Sequence, residues 1–280
     1  MFGVVVGRMI NRIANASYEL NGKTHKLVPN DDHGSALHGG AGLGWAHRKW
    51  NLSESTADSV TYTLRSPDGD QKFPGDLDVS VTYLLKPESL TMTRVVAADA
   101  GNKEATPVNI AQHSYFNLDG HDAGPKAVKN LRTTIDATHR AVLRADGTAL
   151  PTGAVEAVAG GPFDFSSKGK AAGRALGDSW NATTDPEPGL GFEVMYVTGN
   201  KTLAQAKSST TKPGKPDNKK KDSNPVGCSA TKDGSPIRAA RFVAPCSGRS
   251  LEAWTSAPAF EIYTGNHLDP KGLIGKGKID

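Results

Sequence analysis

Leu77-Asp78-Val79-Ser80-Val81-Thr82-Tyr83-Leu84-Leu85 decides the fold class. Leu77, Val79, Val81, Tyr83 and Leu85 alternate with Asp78, Ser80 and Thr82. This is the period-2 pattern of a strand buried on one face. Upstream, Val60, Tyr62 and Leu64 alternate with Thr61 and Thr63. Downstream, Leu90, Met92 and Arg94 open another run after the Lys86-Pro87 turn. SPDGD (Ser66–Asp70) and FPGD (Phe73–Asp76) are turn clusters between strands. In SYELNGKTHKLV (Ser17–Val28), Tyr18 and Leu20 precede Asn21-Gly22, a pair suited to a type I′ turn, so a hairpin is expected. No capped window of ten or more residues has a clear helical period, and short helical turns are expected only near Gly169–Leu176. With 31 glycines and 17 prolines, the chain reads as all-β, a sandwich or barrel of antiparallel strands.

The 280 residues are read as one domain, 1–280, interrupted by a Lys/Ser/Thr/Pro-rich insertion at about 201–226. The net charge of +4 is concentrated there. Lys201 to Lys221 holds seven lysines against Asp217 alone, a local +6 that leaves the remaining chain at −2. Such a segment cannot bury enough apolar surface to offset its ordering entropy and is expected to be disordered. It has no aromatic side chain on which a base could stack, so no nucleic-acid partner is expected. No apolar run reaches the roughly 20 residues of a membrane span, and Met1–Ile10 lacks the basic start and length of a secretory signal. The expected compartment is the cytoplasm, with secretion or an organelle left open. Cys228 and Cys246 exclude a disulfide-dense scaffold and a cysteine zinc cluster, and their spacing does not require them to pair.

Two histidines stand out. His38 lies in Leu37-His38-Gly39-Gly40, where the glycines permit close approach of a ligand or another backbone. On this pattern alone a structural loop histidine is the preferred reading. His113 lies in Gln112-His113-Ser114-Tyr115-Phe116-Asn117-Leu118, where polar and aromatic side chains alternate as on a strand facing a pocket. Histidine titrates near neutrality and serves as a general acid or base. Asn11 and Arg12 can donate to sugar hydroxyls or form a surface ion pair. Metal-protease, dinucleotide and phosphate-loop motifs are missing, and the eight histidines form no metal-ligand pair. No metal or cofactor is expected.

Seven stretches together resemble the aldose 1-epimerase (galactose mutarotase) family, and they occur in family order. They are GRMINRIANASYELNGKTHKL, SALHGGAGLGW, SPDGDQKFPGDLDVSVTYLL, TPVNIAQHSYFNLDGH, LPTGAVEAVAGGPFDF, GFEVMYV and SGRSLEAWTSAPAFEIYTGNHL. The SPDGDQKFPGDLDV wording is most similar to the plant and algal branch. The resemblance implies a large antiparallel β-sandwich with a sugar cleft and cofactor-free interconversion of hexose anomers; the oligomeric state stays open, with a monomer expected. It implies that His113 is the proton donor and that Asn11, Arg12, His38, Ser114 and Tyr115 contact the sugar.

The chain also departs from the family pattern. Glu193 stands where the family has a sugar-binding Asp, followed by Val194 and Met195. Glu261 stands where a Gln is usual, which replaces a donor-acceptor group by an acceptor. The family's base is a Glu in a C-terminal strand, and no residue before the end at Gly275–Asp280 maps to it. Opening strands before Met1-Phe2-Gly3 are likewise expected to be missing. Three readings stay open: a fragment of a longer product, a sugar-binding pseudoenzyme, and replacement of the base by Glu193 or Glu261.

Overall fold

The structure is a computed structural model that describes residues 2–40, 42, 44–120, 123–144, 146–167, 173–182, 191–198, 234–266 and 268. The lysine-rich insertion, Cys228 and the final Gly275–Asp280 lie outside the described residues. The chain forms two compact units, Met1–Phe116 and Asn117–Asp280.

In the first unit the strands are β1 (Val5–Val6), β2 (Arg12–Ile13), β3 (Ser17–Leu20), β4 (Lys23–Lys26), β5 (Ala36–Leu37), β6 (Asn51–Ser55), β7 (Ser59–Ser66), β8 (Leu77–Lys86), β9 (Ser89–Ala98) and β10 (Ala111–Gln112). β6 to β9 make an antiparallel sheet in chain order, and β1–β10, β2–β5 and β3–β4 are two-stranded ribbons. The expected hairpin is β3–β4, with Asn21 and Gly22 both in the left-handed region at φ 53° and 75°, as a type I′ turn requires.

Leu77 and Val79 are buried with Leu64, Trp45 and Ile110, and Val5, Trp50 and Val96 pack on that cluster. Burying each large apolar side chain contributes about 1.5–3 kcal/mol. The alternation that predicts β8 does not bury its last member. Leu85 is 62% exposed, because it pairs with Leu90 at the tip of the β8–β9 hairpin, beyond the residues of that cluster.

The residue that gathers this unit is Arg8, only 1% exposed. Its guanidinium Nε donates to Ser66 Oγ at 2.9 Å, and its other nitrogens donate to the carbonyls of Ser66, Pro67, Pro74 and Gly75 and to Thr106 Oγ1 at 2.8–3.1 Å. Ser66 Oγ also accepts Trp45 Nε1 at 3.1 Å and donates to Asp70, whose carboxylate takes Arg48 Nη1 at 2.8 Å. Burial lowers the Arg8 pKa, and Asp70 foremost, then Tyr18, Asp68 and Asp76, act against that shift. The turn clusters read from the sequence are therefore wrapped around one buried cation. Beside it, Gly7 is obligatory, since a Cβ there would overlap the Trp45 ring.

In the second unit follow α1 (Gly124–Asn130), β11 (Arg132–Ile135), β12 (His139–Leu143), β13 (Pro151–Ala157), β14 (Arg174–Ala175), β15 (Glu193–Val197), β16 (Ile237–Val243), β17 (Ser250–Thr255) and β18 (Ala259–Tyr263). Of the helical turns expected near Gly169–Leu176, residues 168–172 lie outside the described residues. A 3₁₀ helix occupies Leu176–Ala182. Two four-stranded antiparallel sheets form, ordered β14-β11-β16-β17 and β13-β12-β15-β18. Ile135 and Ala240 of the first sheet share one core with Val194, Tyr196 and Ile262 of the second, which makes this unit a sandwich. The Tyr196 hydroxyl is satisfied in that core by the Phe163 carbonyl at 3.1 Å. Among the described residues no helix is long and apolar enough to cross a membrane.

Replacing Arg8 by Met, which keeps volume but removes every donor, strands four buried carbonyls and is expected to cost about 3 kcal/mol or more. Arg8→Lys should rescue only part of this, because an ammonium cannot span the same acceptors. Urea unfolding checks it; a loss under about 1 kcal/mol would contradict the role given to Arg8.

Candidate active site

β2 pairs with β5 through Arg12↔Leu37 and Ile13↔Ala36, so Asn11 and His38 sit together at the end of that ribbon. They bond each other reciprocally. The His38 N–H donates to the Asn11 carbonyl at 3.0 Å, and the Asn11 N–H donates to His38 Nδ1 at 3.1 Å. Both residues are left-handed, at φ 60° and 53°, a conformation that is uncommon for a residue with a Cβ and that clusters at functional sites. An accepting Nδ1 places the proton of neutral His38 on Nε2. Asn11 Oδ1 accepts the Arg12 N–H at 2.7 Å.

The segment leading to His38 is held by side chains that the sequence reading did not single out. Asn30 bonds both backbone groups of Leu37, at 2.6 and 3.0 Å. Asp31 Oδ1 accepts from the backbone of Ser35 and His33 at 2.6 and 3.1 Å. Its Oδ2 lies 3.3 Å from Arg12 Nε, with the two side chains 7% and 18% exposed. Asn and Asp just before a short strand are a signal for such backbone-directed turns. The glycines after His38 serve a close backbone approach, because a Cβ on Gly39 would overlap the Gly7 carbonyl.

His113 follows β10. Val5↔Gln112 and Val6↔Ala111 pair β10 with β1, and His113 extends the ladder by bonding Val4 and Gly3 at 2.9 Å each. Its ring stands perpendicular to His38, centroids 5.3 Å apart, and lies nearly parallel to Tyr115 at 5.2 Å. Phe2 meets Tyr115 edge-on at 4.8 Å. Strand alternation sends Ser114 the other way. Its Oγ accepts Gln112 Nε2 at 3.0 Å, and the Gln112 carbonyl oxygen takes the Tyr83 hydroxyl at 3.2 Å.

Burial first, then the nearby His113 and the Arg12 charge, lower the His38 pKa to about 4. Burial also lowers that of His113. At neutral pH the unit therefore presents uncharged imidazoles, a guanidinium and a carboxamide. This set matches the mixed donors and acceptors of a polyhydroxyl ligand. Among the described residues no cluster of three or more His, Cys, Asp or Glu is placed to hold a metal.

Glu193 and Glu261 belong to the second unit. Glu193 pairs with Tyr263 and Met195 with Glu261 across β15–β18, so both carboxylates stand on one sheet face, while Val194, Tyr196 and Ile262 fill the core on the other. The strand is aligned by Phe192, whose N–H donates to Thr264 Oγ1 at 2.7 Å.

These features define an antiparallel all-β protein of galactose mutarotase-like fold. It overlays an aldose epimerase homologue from C. elegans with a TM-score of 0.65 at 25% identity, covering 92% of this chain and 64% of that one. A galactose 1-epimerase from Lactobacillus acidophilus shares the fold, with a TM-score of 0.63 at 23% identity, covering 94% of this chain and 64% of that one. The sequence profile for aldose 1-epimerase matches residues 1–278, and the chain belongs to that family. It is 32% identical over 279 residues to the galactose mutarotase of Sus scrofa, covering 98% of this chain and 66% of that protein. To the aldose 1-epimerase of Escherichia coli it is 31% identical over 267 residues, covering 95% and 64%. The chain thus spans less than two thirds of the length of either relative.

The His38 pKa has a consequence for stability. Its folded value lies below the unfolded value of 6.5, so the folded state binds fewer protons between pH 4 and 6.5. This contribution is complete above pH 6.5 and is lost as pH falls through that window, up to roughly 3 kcal/mol. Urea midpoints measured across the window should fall with acid in the wild type and flatten in His38→Gln.

Proposed function

We propose that this protein interconverts the α and β anomers of a hexose such as galactose or glucose. The observation that carries the reading is the perpendicular contact of His38 and His113, 5.3 Å apart, beside Asn11 and Arg12. Family membership and relatives named galactose mutarotase and aldose 1-epimerase support it.

In this reading the protonated fraction of His113, which the lowered pKa makes a minority at neutral pH, is the acid. A base takes the proton of the C1 hydroxyl while the ring oxygen takes a proton from His113, and the C1–ring-oxygen bond breaks. The open aldehyde rotates about C1–C2, and closure on the other face returns both protons. Neutral His38 donates to a sugar hydroxyl through Nε2 while Asn11 holds its Nδ1. Arg12, aimed by Asp31, donates to further hydroxyls. Tyr115 lies flat against His113 and fixes its plane. Ser114, turned toward Gln112, supports the strand rather than the sugar. Glu193 and Glu261, in the second unit, are the positions to which the family resemblance assigns sugar binding. A correctly placed acid or base contributes about 10²–10⁴-fold.

Polarimetry of freshly dissolved α-D-galactose tests this. The wild type should exceed the spontaneous rate, and His113→Ala should lose about 10²-fold or more. Because the His113 pKa is lowered, its protonated fraction declines as pH rises through a value below 6.5. kcat/KM should therefore fall on that limb, and the limb should vanish in the variant. Glu193→Gln and Glu261→Gln separate the two carboxylates. Folded wild type with no excess rate would refute the enzymatic reading. Galactose binding without catalysis would instead favour a sugar-binding protein of the same fold.

A further inference from the structure

Beyond β10 the chain stays extended, so His113 and Tyr115, two residues apart, share one side while Ser114 turns to the other. The His113 backbone is fixed at both its N–H and its carbonyl by Val4 and Gly3. The imidazole and the phenol ring lie nearly parallel, with 20° between their planes and 5.2 Å between centroids. That separation is inside the roughly 6 Å over which an aromatic face attracts a cation. Phe2 braces the phenol ring from another direction, meeting it edge-on at 4.8 Å and 69°.

The rest of the surroundings gives the charged form of His113 little support. Burial lowers its pKa, its own carbonyl acts the other way, and the charge of the amino terminus lowers it further. His38, after β5, stands perpendicular to it at 5.3 Å and stays neutral down to about pH 4. Arg12 of β2, paired with Asp31, acts on His38. The usual remedy for a partly buried imidazolium is a neighbouring carboxylate, and within the first unit none contributes to this balance. The face of Tyr115 does offer negative potential, because the π-system of an aromatic ring is negative on its faces and positive at its edge.

We propose that Tyr115 is a positioning residue that works through His113, its ring face favouring the imidazolium over the neutral imidazole. The family resemblance casts Tyr115 as a sugar contact; the stack gives it a task on the acid itself. This role rests on the reading of His113 as the acid. Protonated His113 is the minority form at neutral pH, so any gain in that form raises the amount of acid present. A cation–π contact at a partly exposed site moves the balance by roughly half a pKa unit, or about threefold in the protonated fraction. Orientation alone would leave the fraction unchanged, which separates this role from a purely structural one.

The ring face can be altered while ring size is kept. Tyr115→Phe retains the negative face. Pentafluorophenylalanine at position 115, introduced by nonsense suppression, keeps the shape and reverses the face. Titration of the histidine ring protons by NMR, in the full chain, reads the result directly, with circular dichroism verifying the fold. The His113 pKa should stay close to the wild-type value in Tyr115→Phe and fall by roughly half a unit or more in the fluorinated protein. The limb of kcat/KM assigned to His113 should move to lower pH with it. Equal His113 values in the two ring variants, or a higher one in the fluorinated protein, would overturn the proposal. The titration needs no turnover. A shifted His113 without mutarotation would uphold the role of Tyr115 and refute the anomer-converting reading, whereas mutarotation with an unshifted His113 would do the reverse.

Discussion

The first unit depends on the buried guanidinium of Arg8. One side chain satisfies four backbone carbonyls and two hydroxyls drawn from Ser66–Gly75 and Thr106. No hydrophobic side chain could gather these groups, because each carbonyl left without a donor costs about 1–3 kcal/mol. Arg8 reaches this position only because Gly7 leaves room for the Trp45 ring and Gly39 packs on the Gly7 backbone. The same contact fixes His38, the neighbour of Gly39. The cation that holds the turns together thus also sets the position of a candidate site residue it does not touch.

From that anchor the site follows by short-range bonds. Asn11 and His38 hold each other in left-handed conformations that neither would favour alone. Asn30 and Asp31 tie the incoming segment to the backbone at Ser35 and Leu37. Burial then keeps His38 uncharged, and its accepting Nδ1 directs the remaining proton outward on Nε2. Positioning and charge state have the same cause, since protonating Nδ1 would break the bond that places the ring.

The sheet fold was legible because alternation in β7 and β8 and the Asn21-Gly22 turn are local signals. Alternation could not show where the sheet runs past its core, so Leu85 reads as buried although it lies at an open hairpin tip. His38, His113, Asn11 and Arg12 were visible as motif residues. Their grouping was not, because it depends on ribbons joining residues that are distant in sequence. Arg8 was the least visible. Within GVVVGRMI it reads as an interruption of an apolar run, and its partners are turn carbonyls, which have no side-chain signature. Neighbours along an extended chain face opposite ways, so Ser114 turns to Gln112 while His113 stacks on Tyr115.

The central claim is that a polar network holds two uncharged imidazoles in contact where a sugar binds. Titrating the histidine ring protons by NMR, with and without galactose, tests it most directly. The account predicts that His38 remains neutral until about pH 4, that His113 titrates below 6.5, and that galactose shifts both resonances. A His38 that titrates at its ordinary value, or a pair of resonances unmoved by galactose, would contradict it.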